Sequence, residues 1–314
     1  MYWKKAMIVA GILCLYCVLG CAGVQKTPSP GAGTVKTEVY RTTPQGDLSL
    51  DIHFPDDWRT DDKRPAIVFF FGGGWSGGNA THFEPQAKYI ASRGMVTIRP
   101  DYRVFGQERV NPDECVRDAM AAMRWVRAHA RELGIDPDRI VSSGGSAGGH
   151  LAACMGVGVS IKGDGDNLDV PYKSNAMVLF NPALDMMAVL EMRKKKKVAV
   201  VSKLKWQLDA ETARKISPQH HVTKGAPPAV LFFGTEDFLL DQLDPFVREM
   251  EKKGNKAEVY MAEGEKHSFF NWSPWREKTM RRMDEFLARL GYLECAPTIV
   301  VPDNPSEAKP KARR

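Results

Sequence analysis

Arg139-Ile140-Val141-Ser142-Ser143-Gly144-Gly145-Ser146-Ala147-Gly148-Gly149-His150 is the stretch that decides the fold of this chain. Its β-branched start reads as a short strand that stops at a glycine pair. Small residues then open a helix that runs to about Gly158. Inside the junction lies Gly144-Gly145-Ser146-Ala147-Gly148, a G-x-S-x-G pattern. Its logic is steric: a serine at the apex of a tight strand-to-helix turn holds a strained backbone, and flanking glycines let the chain pass. Such a turn lifts Oγ of Ser146 clear of the sheet. It also aims the first N–H groups of the helix, beginning with Ala147, at whatever Ser146 attacks. Short Gly- and Ser-rich patterns also arise by chance in loops, so the strand before and the helix after carry the weight.

Working outward, strands and helices alternate on both sides of this turn. Upstream, Thr37 to Arg41 and Leu48 to Phe54 alternate in polarity around Pro44-Gln45-Gly46-Asp47, a hairpin signal. Pro65 to Phe71 is a continuous apolar run, as for a strand buried on both faces, and it ends in Gly72-Gly73-Gly74-Trp75. A helix over about Thr81 to Arg93, a strand over Met95 to Arg99 and a helix over Cys115 to Leu133 follow, the last ended by Gly134. Downstream come strands at Ala176 to Phe180, Ala229 to Phe233 and Ala257 to Met261, with helices through Phe246 to Lys253 and Trp275 to Leu290. This alternation predicts an α/β fold: a mostly parallel eight-stranded sheet with helices on both faces. Asp185 to Lys224 is longer than a crossover helix needs and reads as a small cap insertion.

The 314 residues, 43% of them hydrophobic, suffice for one sizeable core. Glu191 to Lys197 carries a net +4 and Asp303 to Arg314 a net +2, which together make the whole formal charge of +6. The balanced remainder argues against a nucleic-acid-binding face, and the run Lys194 to Lys197 reads as a solvated surface. At the N-terminus, Lys4 and Lys5 precede an apolar run from Ala6 to Leu19, short for a bilayer span, which ends in Val18-Leu19-Gly20-Cys21. This resembles a bacterial lipoprotein signal over 1–20, with Cys21 as the lipid-bearing first residue, an anchor to a membrane at the periplasm or cell surface. Residues 21–36 then form a flexible tether, 37–293 the catalytic domain with its cap at about 185–224, and 294–314 a disordered tail. Beyond the leader, Cys115, Cys154 and Cys295 are an odd number without metal-ligand spacing.

A serine hydroxyl becomes a competent nucleophile when an imidazole takes its proton and a carboxylate orients that imidazole. Two downstream loops supply both: Ala229 to Phe233 runs into Gly234-Thr235-Glu236-Asp237, and Ala257 to Met261 into Glu263-Gly264-Glu265-Lys266-His267. Both loops open on the sheet edge that carries Ser146, in the order Ser146, Asp237, His267. Glu236 would point elsewhere, and Asp241 begins a helix. His150, one turn after Ser146, packs beneath the turn; His220 and His221 lack further ligands for a metal; His53 and His82 have no evident partner; His129 reads as a surface residue. Backbone N–H groups of Gly73 and Gly74, with that of Ala147, are candidates for an oxyanion hole. Trp75, Phe269, Phe270 and Trp272 could wall the pocket or stack on a substrate ring.

On these motifs the chain resembles the α/β-hydrolase-fold carboxylesterases, in particular the hormone-sensitive-lipase-like esterases and the bacterial acetylxylan and feruloyl esterases. The resemblance spans about Thr37 to Tyr292. It is carried by Phe71 to Trp75, Asp101-Tyr102-Arg103, Gly134 to Ile140, Gly144 to Gly149, Gly234 to Asp237 and Gly264 to Phe269. It implies a serine esterase with Ser146, Asp237 and His267 as its triad, no cofactor or metal, and short-acyl or feruloyl esters of polysaccharides as substrates. One position departs: the family usually has a histidine, which braces the glycine loop, where this chain has Phe71. Three rivals compete. Gly72 to Gly77 satisfies G-x-G-x-x-G with Asp101 beyond the next strand, as an NAD-binding oxidoreductase would, but that leaves Ser146, Asp237 and His267 unexplained. A serine peptidase shares the scaffold, though no gating domain accompanies it. A non-catalytic hydrolase-like binding protein tends to lose a triad member, and here all three are present.

Overall fold

The structure is a computed structural model that describes residues 31, 33–161 and 167–302. The expected leader, Cys21 and the end of the tail lie outside the described residues. The strands are β1 (Val35–Thr43), β2 (Gly46–His53), β3 (Arg64–Phe70), β4 (Val96–Pro100), β5 (Ile135–Gly145), β6 (Ala176–Phe180), β7 (Ala229–Gly234) and β8 (Ala257–Ala262). They form one sheet in the order β1-β2-β4-β3-β5-β6-β7-β8. A tight turn returns β1 onto β2, so that pair is antiparallel, and β2 is also antiparallel to β4. The junctions from β4 to β8 are parallel, as their helical crossovers require.

The helices are α1 (Glu84–Ser92), α2 (Phe105–Glu108), α3 (Pro112–Ala128), α4 (Ala147–Val157), α5 (Met186–Lys194), α6 (Ala199–Ser202), α7 (Ala210–Lys215), α8 (Leu243–Lys252) and α9 (Trp275–Arg289). The pleat of β3 divides the core in two. Ala66, Val68 and Phe70 pack with Met120 and Met123 of α3 and Leu151 of α4. Ile67 and Phe69 face the other way, toward Ile90 of α1 and Phe286 and Leu287 of α9. Each fully buried side chain of this kind contributes about 2 kcal/mol, which is why the central strands read as unbroken apolar runs. Every residue of α4 is buried. A Cβ on Gly148 would stand 2.0 Å from the carbonyl oxygen of Phe70, so this helix can lie against the sheet only because glycine occupies that position.

Several boundaries differ from expectation. The helix expected from Thr81 is split: the Asn79 side chain accepts from the Thr81 N–H and caps a 3-10 turn at Ala80–Phe83, and Pro85 then sits in the first turn of α1. Pro112, preset for a first helical turn, starts α3 earlier than the apolar spacing suggests. The tail is not disordered from 294 onward, because Arg93 donates to the carbonyls of Glu294 and Cys295 and Arg281 to that of Ile299. Cys115 and Cys154 are free and buried, so no disulfide joins any two of Cys115, Cys154 and Cys295. Among the described residues no helix is long and apolar enough to cross a membrane.

Candidate active site

Ser146 stands between β5 and α4 with φ 56° and ψ −116°, a conformation that costs a side-chain-bearing residue about 1–3 kcal/mol. Backbone hydrogen bonds hold it there. Its N–H donates to the Phe180 carbonyl at 2.8 Å, and its carbonyl accepts from His150 at 2.9 Å and Ala183 at 3.4 Å. The sharp turn foreseen from the glycines is therefore built, with the hydroxyl at the C-terminal edge of the sheet.

Since β7 and β8 are parallel neighbours, the loops after them open side by side. The Glu236 N–H donates to the Glu265 carbonyl at 2.9 Å and the Gly264 N–H to Thr235 Oγ1 at 2.8 Å, lacing the two loops together. His267 Nε2 lies 2.8 Å from Ser146 Oγ, and Nδ1 lies 2.9 Å and 3.0 Å from the two oxygens of Asp237. The Asp237 carboxylate is fully buried and also accepts from the Leu239 N–H at 2.8 Å and from Asn181 Nδ2. A carboxylate at Nδ1 fixes the proton there, which leaves Nε2 free to accept from the serine hydroxyl. The structure thus brings Ser146, Asp237 and His267 together. Asn181 was not foreseen: its amide donates to Asp237 while its Oδ1 accepts from the Ser268 N–H at 3.2 Å, so it sets both loops at once. The available signal was an asparagine ending β6 on the same edge. Glu236 points into solvent beside Lys266.

The glycine loop after β3 closes over this edge. Gly73, Gly74 and Trp75 all have positive φ, 135°, 61° and 57°. A Cβ on Gly73 would come within 2.1 Å of the Gly77 carbonyl oxygen, so only glycine fits. Most polar groups of the loop are engaged. Gly72 N–H donates to His82 Nδ1 at 3.2 Å, Gly73 O accepts from Ser76 and Gly77, and Gly74 O accepts from the Trp206 indole at 3.0 Å. The N–H groups of Gly73, Gly74 and Ala147, by contrast, take part in no hydrogen bond among the described residues. Gly73 and Gly74 line the same cavity as Ser146, the arrangement an oxyanion hole requires.

That cavity measures about 290 Å³. Its floor is Gly145, Ser146, His267 and Phe270, and its roof is Val189 of α5, Val200 and Val201 of α6, and Leu204. Among the described residues, no Asp, Glu, Lys or Arg lines it. Trp75 lines it, but Phe269 and Trp272 do not. Phe269 is buried in the core against Phe270 and Trp275, and Trp272 is exposed outside the cavity. Phe238 and Leu239, which directly follow Asp237, take their place in the wall. From the roof, Trp206 reaches down fully buried, edge-on to Trp75 at 5.6 Å, with the Arg193 guanidinium 4.5 Å from its own ring.

His150 packs beneath the turn, accepting from the Trp75 indole at 3.2 Å through Nδ1 and donating from Nε2 to the Ile216 carbonyl at 2.6 Å. Complete burial lowers its pKa to about 4, so it is a neutral structural link. His82 does have a partner after all, the Gly72 N–H, and burial lowers its pKa too. The dinucleotide reading of Gly72 to Gly77 is not met. The loop is followed by a 3-10 turn rather than opening directly into a helix, and Asp101 is spent on the Ala80 N–H that begins that turn. Among the described residues there is no group of three or more His, Cys, Asp or Glu able to hold a metal.

Residues 50–243, more than half of the chain, match the BD-FAE family. The chain belongs to the BD-FAE family. Structures of esterase 2 from Thermogutta terrifontis superpose on this BD-FAE member with a TM-score of 0.74. The form phosphorylated by paraoxon is 39% identical and covers 85% of this chain and 96% of its own. The propionate-bound form is 40% identical over 85% and 97%. The "Probable isoprenylcysteine alpha-carbonyl methylesterase ICMEL1" of Arabidopsis thaliana is 28% identical over 243 residues, 73% of this chain and 50% of that protein. The "Probable carboxylic ester hydrolase LipM" of Mycobacterium tuberculosis is 28% identical over 279 residues, 76% and 61% of the two. The BD-FAE member thus spans half to about three-fifths of the length of these curated relatives. Its fold is the α/β-hydrolase fold of the carboxylesterases, of the hormone-sensitive-lipase-like type.

Proposed function

We propose that this BD-FAE member hydrolyses carboxylic esters through an acyl-enzyme. The observation that carries the proposal is the unbroken hydrogen-bond line from Asp237 through His267 to Ser146, ending in an apolar cavity beside unengaged backbone N–H groups. Ser146 Oγ attacks the acyl carbonyl carbon as His267 Nε2 takes its proton. The oxyanion of the tetrahedral intermediate is received by N–H groups of Gly73, Gly74 and Ala147. Collapse breaks the ester C–O bond, and His267 returns the proton to the departing alcohol. Water then repeats the sequence on the acyl-serine and releases the acid, restoring Ser146.

A cavity near 290 Å³ is at the small end for ligand sites and suits a short acyl chain. Solved forms of the Thermogutta esterase with propionate and butyrate bound support that preference. The alcohol leaves past Val200, 59% exposed at the rim, so it can belong to something as large as a polysaccharide. Lipid on Cys21 would hold the enzyme at a membrane surface, facing such a polymer. The test is Ser146→Ala assayed on p-nitrophenyl butyrate and on acetylated xylan. A fall in kcat of about a million-fold is expected. Retention of most activity rejects the mechanism, and activity confined to the small ester rejects the polymer.

A further inference from the structure

The glycine loop has a mechanical problem. Its donors belong to Gly73 and Gly74, residues whose freedom about φ leaves the direction of an N–H undetermined unless neighbouring peptide planes are pinned. Downstream, pinning comes from the Trp206 and Trp75 indoles. Upstream, Tyr102 donates to the Phe71 carbonyl at 2.6 Å, and the Phe71 ring, stacked on Tyr102 at 4.0 Å, offers no acceptor. The same Phe71–Gly72 peptide is held from its other side by His82 Nδ1, which accepts from the Gly72 N–H next to the peptide that carries the Gly73 donor.

We infer that His82 is a positioning residue of the oxyanion hole: its imidazole fixes the Phe71–Gly72 peptide and, through the adjoining Gly72, the direction of the Gly73 N–H. The inference rests on the proposed role of that loop. Four observations support it. His82 lines the cavity, on the 3-10 turn that immediately follows the loop. Its Nδ1 accepts, so the ring is neutral with its proton on Nε2, in keeping with a pKa that burial lowers from the ordinary histidine value. The side chain of Asn271 lies against the same ring and favours its protonated form, against the larger effect of burial. Asn271 in turn donates to the Ser268 carbonyl at 3.1 Å, and the Ser268 N–H donates to Asn181, which holds Asp237. Asn271 therefore stands between His82 and the loop of His267, so the ring that holds the oxyanion loop is packed against the loop that carries the base. A ring with Phe83 at 5.3 Å and Phe270 at 6.4 Å has little freedom to turn away.

The test compares His82→Phe, which keeps the ring and loses the acceptor, with His82→Asn, whose Oδ1 falls where Nδ1 was. Both are assayed on p-nitrophenyl butyrate beside wild type and Ser146→Ala. A misplacement of donors by about 1 Å costs up to about 100-fold, so His82→Phe should lower kcat about 10- to 100-fold with KM within about twofold. His82→Asn should recover kcat to within about fivefold of wild type. Unchanged kcat in His82→Phe, a change confined to KM, or a His82→Asn no better than His82→Phe each overturns the assignment. If His82→Phe does not fold, Asn271→Leu, beside the His82 ring, takes its place, with a smaller fall in kcat at constant KM expected and unchanged kcat overturning it. Failure of the esterase reading itself would show differently, as a wild type no more active than Ser146→Ala.

Discussion

Replacing His150 by Asn removes a group whose titration is coupled to folding. In the fold the ring is completely buried between the Trp75 indole and the Ile216 carbonyl, and its pKa lies at about 4 against 6.5 for a free histidine. That difference corresponds to about 3 kcal/mol. The sign follows from linkage. The folded pKa is the lower one, so between pH 6.5 and 4 the unfolded chain binds a proton that the folded chain refuses. Stability from the neutral ring is fully present above pH 6.5 and is lost as the pH falls toward 4. Urea unfolding at half-unit steps from pH 7.5 to pH 4 measures it. His150→Asn should be the less stable protein at pH 7, since its shorter side chain leaves the Ile216 carbonyl bare. The advantage of wild type should then shrink by about 3 kcal/mol by pH 4, other titrations cancelling in the difference. Two curves that stay parallel within about 1 kcal/mol would refute the argument.

Two further changes probe the cavity and the anchor. Leu204 roofs the site so closely that a Cβ on Gly74 would meet its Cδ2 at 2.9 Å; Leu204→Ala should raise kcat/KM for p-nitrophenyl octanoate relative to the butyrate about tenfold, and an unaltered ratio would remove this residue from the acyl pocket. Cys21→Ala in the full chain should move esterase activity from the membrane pellet to the soluble fraction, while identical partition of the two proteins would reject lipid anchoring.

Much of this was legible because it is written locally. The strand, glycine pair and small residues around Ser146 specify a turn whose geometry allows few side chains, and the acid and base lie directly after strands whose parallel pairing puts them on one edge. The contacts that cross the sequence were not legible. Phe269 and Trp272 looked like substrate platforms by proximity to His267, yet one faces the core and the other solvent, because the 3-10 turn at Phe269–Asn271 sends successive side chains in different directions. His82 looked partnerless because its partner is a backbone N–H, which no residue pattern announces. The crowding of Gly73 against Gly77, where an added Cβ would lie 2.1 Å from the carbonyl oxygen, was equally unannounced, and a substitution there would disturb the backbone as well as the donor. Asn181 and Trp206 lie 56 and 132 residues from the atoms they hold.

The indole of Trp206 belongs to the roof, but the oxygen it holds belongs to Gly74. A roof that swung outward as one piece would carry that indole away and leave the Gly74 oxygen to the Ser76 hydroxyl alone, so the lid and the loop beneath it are tied by one hydrogen bond. Small rotations of side chains such as Val200, already standing in water, open the mouth without breaking that tie.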